Sequence, residues 1–129
     1  MHLNLSHATL ICNGKIKITG SKSETNRLLF LQSLFPNFKI QNKSNSDDSS
    51  LMQAALKSTS NFIDINHAGT AMRFLTSYFS QLEGREVILT GSKRMQQRPI
   101  KILVDALKSL GASIEYEKKQ GYPPLKIKG

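Results

Sequence analysis

Two cations stand at the start of a helical pattern in "GSKSETNRLLFL", residues 20–31. Lys22 follows the first serine, and Arg27 precedes two leucines. Because the first turn of a helix has partial positive charge and unpaired N–H groups, acidic side chains are its usual neighbours. Since Lys22 and Arg27 depart from that pattern, we interpret the segment as an anion-binding helix start. On this segment alone, the alternative of two ordinary solvated charges stays open.

Two further segments carry arginines. "AGTAMRFL" at 68–75 places small residues before Arg73, and "KRMQQR" at 93–98 is strongly basic. Runs of this second kind are usually solvated surface loops, but we favour a functional role for Arg94 and a structural one for Arg98, which precedes a proline. For Arg73 the alternative is a structural salt bridge to one of the two aspartates at 47 and 48.

Acidic and histidine side chains give weaker signals. Asp47 and Asp48 could act as a general acid–base pair, but two acids in the first turn of a helix match its dipole, and we favour that explanation. His2 and His7 have no metal-ligand spacing with His67, which could also be a packing residue. We therefore predict neither a metal site nor a cofactor.

Strand and helix patterns alternate along the chain, which predicts an α/β fold. Pro99 and Gly111 are expected at the first position and the C-terminal stop of the last helix, and Ser46 is expected to cap the second. The predicted strands are 15–19, 38–41, 62–65, 86–90, 113–117 and 124–129, and the predicted helices are 23–35, 46–58, 69–82 and 98–112.

An internal repeat organises these elements. "ALKS" occurs at 55–58 and at 106–109, and both first helices place an arginine before two apolar residues. We infer two units of βαβα type, at about 14–61 and 62–129, the second ending in a strand pair. Their first helices can then direct both N-termini at one shared anion.

Composition sets the remaining limits. The chain has 129 residues, 39% of them hydrophobic, which suffices for a core. Its 18 Lys+Arg against 9 Asp+Glu give a formal charge of +9, so nucleic acid, anionic lipid and phosphorylated metabolites are all candidate partners. The single Cys12, expected to be buried, excludes an intramolecular disulfide, and neither a membrane span nor an export signal is expected. We predict a cytoplasmic protein.

Five segments together resemble, in order and spacing, the N-terminal part of the EPSP synthase family. They are "GSKSETNR" at 20–27, "SDD" at 46–48, "AGTAMRFL" at 68–75, "LTGSKRMQQRPI" at 89–100 and "YPPLKIKG" at 122–129. The resemblance implies repeated βαβαββ units of an inside-out α/β barrel, with about two of the three units of one domain present. It also implies that residues 1–13 form an arm belonging to the other domain.

The family transfers the enolpyruvyl group of phosphoenolpyruvate to the 5-hydroxyl of shikimate 3-phosphate and releases phosphate, without a metal. Carried over by motif, Lys22, Ser23 and Arg27 bind shikimate 3-phosphate, while Lys22, Gly69 and Arg94 bind phosphoenolpyruvate. The same resemblance implies that Asp48, His67, Thr70 and Arg73 line the pocket. His67 replaces the usual asparagine of the family, and Phe74 replaces a frequent proline.

The family's catalytic acid and base have no counterpart among these residues. We therefore expect a partial enzyme that is inactive alone, needs the missing C-terminal part and self-associates, with no membrane or nucleic-acid partner. Three alternatives stay open: the sister enzyme that acts on UDP-N-acetylglucosamine, a basic nucleic-acid-binding module and a noncatalytic phosphate-binding domain. "GSKS" at 20–23 argues against the first, and the low aromatic content of 7%, without tryptophan, argues against the second.

Overall fold

The computed structural model describes residues 3–4, 6–7 and 13–129, and these form a mixed α/β structure. Most of the predicted arm at 1–13, with His2 and Cys12, lies outside the described residues. The elements are α1 (Lys22–Leu34), α2 (Asp47–Lys57), β1 (Phe62–Asp64), α3 (Gly69–Phe79), β2 (Glu86–Thr90), a 3₁₀ turn (Met95–Gln97), α4 (Lys101–Ser109), β3 (Ser113–Tyr116) and β4 (Leu125–Lys128). Within this part of the chain, no helix is both long and apolar enough to cross a bilayer.

The four strands form one sheet in the order β1-β2-β4-β3. β1 runs parallel to β2, whereas β4 is antiparallel to both of its neighbours. Val87 and Leu89 of β2 and Leu125 and Ile127 of β4 are fully buried, so the two central strands supply the floor of the core. The order from β1 to β4 is βαβαββ, and the α/β prediction is confirmed.

Helix α1 buries a polar face against α2. Thr25 and Asn26 are buried, and the hydroxyl of Ser49 donates a 2.9 Å hydrogen bond to Oδ1 of Asn26. The backbone N–H of Ser44 donates to Oγ1 of Thr25, also at 2.9 Å. Because the polar groups in this contact need partners of fixed geometry, they set the position of α1 relative to α2.

Replacing Ser49 with alanine is expected to lower the free energy of unfolding by about 1–3 kcal/mol, because the buried Asn26 amide then loses its partner. Urea denaturation measures the change. The exposed neighbour Ser50 gives the control, since Ser50→Ala removes a hydroxyl without a buried partner. Equal unfolding free energies in the two variants would show that the buried bond contributes nothing net.

Two predicted strands are wrong. Residues 15–19 and 38–41 are not strands, and the side chains of Ile16 and Ile18 are 88% and 76% exposed. The residues that directly follow the two segments do approach each other, since a Cβ on Gly20 would lie 2.0 Å from the carbonyl oxygen of Asn42. A strand requires a hydrogen-bonded neighbour, and in the described part of the chain neither segment has one.

The start of α4 also differs from the prediction. The helix begins at Lys101, with Ile100 as its cap, so Pro99 precedes the helix instead of opening it. The backbone N–H of Ile100 donates to the carbonyl oxygen of Gly121 at 2.9 Å. This bond to the loop before β4 fixes Ile100 in a non-helical conformation.

Candidate anion-binding site

A cavity of about 1020 Å³ opens beside the first turns of α1, α2 and α3. It lies at the carboxyl ends of the parallel strands β1 and β2, where ligands of α/β folds commonly bind. Eight of the nine site residues predicted from the sequence line it: Lys22, Arg27, Asp48, His67, Gly69, Thr70, Arg73 and Arg94. Phe74, Met95 and Arg98 complete the lining.

The loops that follow β1 and β2 are held against each other. Asn66 adopts a left-handed conformation with φ of 48°, and its N–H donates to Oδ1 of Asp64 at 2.7 Å. Its carbonyl oxygen accepts from the N–H of Ser92 at 2.9 Å. Gly91 permits this contact, because a Cβ there would lie 2.5 Å from the Asn66 oxygen. This approach brings the start of α3 and the basic run at 93–98 to one edge of the cavity.

The start of α3 is suited to an anion. Serines cap α1 and α2, the other two helices at the cavity: Ser21 accepts from the N–H of Glu24 and Ser46 from that of Ser49, both at 3.4 Å. At α3 the cap is Ala68, no side chain of the described residues caps the N–H groups of its first turn, and that turn contains no acid. The positive end of the α3 dipole therefore faces the cavity without a capping or acidic side chain in its first turn among the described residues.

The side chains of the cavity add more positive charge. Five of them are lysine or arginine, against the single carboxylate of Asp48. Within the described residues the one ion pair at the cavity joins Nζ of Lys22 to Asp48 at 3.7 Å. The arginines lack a carboxylate partner in this part of the chain, so their mutual repulsion favours an external anion.

Arg27 and Arg73 occupy equivalent places on α1 and α3. In each case Nη1 donates at 3.0 Å to the carbonyl oxygen four residues earlier, that of Ser23 or Gly69. Arg73 also donates to the carbonyl oxygen of Pro99 at 3.3 Å. The alternative of a salt bridge from Arg73 to Asp47 or Asp48 is therefore wrong, because backbone carbonyls are its partners.

Ser23 is the predicted site residue that does not line the cavity. Its hydroxyl accepts a hydrogen bond from Nη1 of Arg27, which helps to fix the position of the guanidinium. Of the other predicted residues, His67 is exposed and Thr70 is half-buried in the first turn of α3. The ligand assigned to each residue remains a prediction from sequence.

The basic run at 93–98 is an ordered turn whose four outer residues are exposed and whose methionine is buried. Met95 is buried, its N–H donates to Oγ of Ser92 at 3.3 Å, and Nε2 of Gln96 donates to the carbonyl oxygen of Gly91 at 2.8 Å. Arg94 and Arg98 flank the 3₁₀ turn, and both line the cavity. The sequence predicts a structural role for Arg98, whereas the structure places Arg98 in the cavity lining together with Arg94.

The ring of Phe74 lies beside the guanidinium of Arg27. The Cζ atom of Arg27 lies 5.8 Å from the centroid of the Phe74 ring, within cation–π distance. The Phe74 ring packs in turn against Phe30 of α1, with centroids 5.5 Å apart. The aromatic ring therefore orients the guanidinium of Arg27 and joins α3 to α1.

Replacing Phe74 with leucine keeps the apolar volume but removes the aromatic face, and we expect it to weaken the folded state by about 1 kcal/mol. The side-chain protons of Arg27 should lose their ring-current shift in an NMR spectrum. Phe74→Tyr is the matched control, because it keeps the ring and should keep the shift. Identical Arg27 resonances in the wild type and the leucine variant would contradict the contact.

Comparisons with known proteins agree on one family. The family model described as EPSP synthase (3-phosphoshikimate 1-carboxyvinyltransferase) matches residues 39–129. The chain is 50% identical over 115 residues to the 3-phosphoshikimate 1-carboxyvinyltransferase of Bacteroides fragilis, covering 88% of this chain and 28% of that protein. It is 39% identical, over an alignment 154 residues long, to that of Buchnera aphidicola, covering 98% of this chain and 36% of that protein.

A solved structure, EPSP synthase from Acinetobacter baumannii, has the same fold. It superposes with a TM-score of 0.74 at 20% sequence identity, over 90% of this chain and 32% of that one. The chain thus spans about a third or less of the length of the relatives that it matches.

Proposed function

Because the chain belongs to the EPSP synthase family, we propose that its cavity forms part of a site that transfers the enolpyruvyl group of phosphoenolpyruvate to shikimate 3-phosphate. The observation that carries this proposal is the meeting of five cationic side chains with the uncapped start of α3. The rest of the site is proposed to come from the part of the family's length that this chain does not span.

The charges of the two substrates match such a cavity. Each substrate carries a phosphate and a carboxylate, and both must lie close together for the transfer. Repulsion between the two anions must be offset by cations on both sides. We assign Arg27 to shikimate 3-phosphate, Arg94 and the N–H groups at Gly69 to phosphoenolpyruvate, and Lys22 to the space between them.

In the proposed reaction the 5-hydroxyl of shikimate 3-phosphate gives its proton to a base while its oxygen bonds to C2 of phosphoenolpyruvate, and the methylene carbon takes a proton from an acid. The resulting tetrahedral intermediate then breaks its C2–O bond to phosphate, which leaves as inorganic phosphate, and the methyl group loses a proton to a base. This step re-forms the double bond and gives an enol ether. The cations of this chain hold the two anions in contact and stabilise the departing phosphate. We assign the acid and base to residues outside this chain.

A chimeric enzyme tests the proposal. Residues 14–129 would replace the matching segment of the Bacteroides fragilis relative, and phosphate release would be measured with both substrates. We expect release that requires shikimate 3-phosphate and is lost in the Arg94→Met chimera. A folded chimera that releases no phosphate, or that uses UDP-N-acetylglucosamine as the acceptor, would contradict the assignment.

We also propose that the chain self-associates in isolation. Ile16, Ile18 and Phe62 expose large apolar surfaces, with Phe62 on the edge strand β1. Edge strands and exposed apolar side chains favour pairing between copies. Sedimentation velocity should show a dimer or larger species at high concentration, and replacing Ile16 and Ile18 with lysine should shift it towards the monomer. A monomer throughout the concentration range would refute the proposal.

A cytoplasmic location is proposed as well. Its support is Cys12, the only cysteine of the sequence, which leaves no intramolecular disulfide to require an oxidising compartment. Fractionation of cells that produce the native protein tests it, and recovery in an extracytoplasmic fraction would contradict it.

A further inference from the structure

We propose that Arg98 is a further binding residue for the anion at the start of α3, and that the absence of a side chain at Gly69 lets its guanidinium lie there. The inference rests on the function proposed above, in which that anion is phosphoenolpyruvate. It assigns a role to Arg98 and gives a reason for the glycine of the "AGT" segment.

The geometry shows a close contact between these two residues. A Cβ built on Gly69 would lie 2.3 Å from Nη1 of Arg98, 2.9 Å from its Cζ and 3.2 Å from Nη2. Three atoms of one guanidinium therefore occupy the space beside the Gly69 backbone. Gly69 is itself buried, and any side chain there would have to displace Arg98 from the start of α3.

Electrostatics make this contact unfavourable without a ligand. The guanidinium is positive, and so is the end of the helix dipole against which it lies. Within the described residues Arg98 has neither a salt bridge nor a side-chain hydrogen bond, in contrast to Arg27 and Arg73. A phosphate or carboxylate between Arg98 and the N–H groups of α3 would join both positive groups, since the planar guanidinium can donate two parallel bonds.

The backbone around Arg98 is held in place before any ligand arrives. Its N–H donates to the carbonyl oxygen of Met95 at 3.0 Å, and Met95 is buried. Pro99, the next residue, accepts the 3.3 Å bond from Arg73. Because Arg73 also bonds to Gly69, it ties the backbone after Arg98 to the start of α3. Such preorganisation lowers the entropic cost of binding.

Isothermal titration tests the inference with phosphoenolpyruvate as the probe and shikimate 3-phosphate present. The same 129-residue chain would be titrated as wild type, Arg98→Met, Arg98→Lys, Gly69→Ala and the double variant Gly69→Ala/Arg98→Met. We expect Arg98→Met to weaken binding about ten-fold and Arg98→Lys several-fold, since lysine keeps the charge but loses the planar fork. Lys93→Met is the matched control, because Lys93 lies in the same basic run but does not line the cavity.

The double variant separates the contact from a general loss of charge. Gly69→Ala should weaken binding in the wild-type background by displacing Arg98, but should add little once Arg98 is methionine. Thermal unfolding would verify that each variant is folded. If Arg98→Met does not fold, the comparison of Arg98→Lys with the wild type tests the inference instead.

The outcomes distinguish the two proposals. If the wild-type chain alone binds neither substrate, the same variants are compared in the chimera, where Arg98→Met should raise the KM for phosphoenolpyruvate about ten-fold. An unchanged KM would overturn this inference, whereas a folded chimera without activity would overturn the proposed function. If the wild type binds both substrates while Arg98→Met behaves as Lys93→Met does, Arg98 is not a binding residue although the proposed function stands. Additive effects of Gly69→Ala and Arg98→Met would overturn the coupling between them.

Discussion

Arg27→Met is expected to weaken binding of shikimate 3-phosphate about 10- to 100-fold while the chain stays folded, because charge-assisted hydrogen bonds contribute about 1.5–3 kcal/mol each. The guanidinium of Arg27 is directed towards the cavity by its bond to the Ser23 carbonyl oxygen and by the Phe74 ring. Methionine keeps most of the length and the apolar contact with that ring. The loss should therefore fall on the ligand rather than on the fold.

Titration calorimetry of the wild type and the variant measures this effect, and Lys93→Met again serves as the control for a general loss of positive charge. Binding should also weaken as salt is added, since screening reduces the attraction between the cavity and an anion. If the Arg27→Met chain binds shikimate 3-phosphate as tightly as the Lys93→Met chain does, Arg27 is not a binding residue. The anion would then have to be held by the cations of α3 and the 3₁₀ turn.

Of the substitutions considered, Leu75→Ala should lower the free energy of unfolding most, by about 2–5 kcal/mol. The Leu75 side chain is fully buried, so its truncation leaves a cavity in the core. Leu75 is 0% exposed and lies on α3, two residues after Arg73. A looser α3 also moves the start of the helix, so ligand binding should weaken along with stability.

Urea denaturation measures the change in unfolding free energy, and Leu110→Ala is the matched control. Leu110 is 84% exposed, so the same substitution there should change stability by less than about 0.5 kcal/mol. Comparable losses in the two variants would mean that α3 does not pack as described.

Elements with local chemical signals were predicted well. Ser46 caps α2 as expected, since a hydroxyl before two acids is a signal contained within one turn. Strand β2 has both of its predicted ends, at Glu86 and Thr90, because it is a buried apolar run bounded by turn residues. Arg27 and Arg73 each bond to the carbonyl oxygen four residues earlier, but within the described residues the first of the two inferred units contains helices and no strand.

Features that depend on a distant partner were not predictable in this way. The alternation at 15–19 indicates a strand, but it does not specify a neighbour to pair with. The start of α4 depends on a bond between Ile100 and Gly121, which no local pattern reveals. In both cases tertiary context decides between conformations that the local sequence permits equally.

The site shows the same division. The segments that carry the motifs predicted which residues would meet, and eight of them line one cavity. Sequence could not show whether Asp48 pairs with Lys22 or with Arg73, because both partners are compatible with the spacing. It also could not show that Arg98 reaches Gly69, because that contact joins the 3₁₀ turn to the start of α3, two residues 29 positions apart.

The most direct test of the central claim is an NMR titration of the isotopically labelled chain with shikimate 3-phosphate. Inorganic phosphate, UDP-N-acetylglucosamine and a short DNA duplex would be titrated in parallel. We predict saturable shifts centred on Lys22, Arg27 and Gly69 that exceed those caused by phosphate. Shifts of a broad basic face with DNA, and none at these residues with shikimate 3-phosphate, would contradict the assignment of the cavity to this substrate.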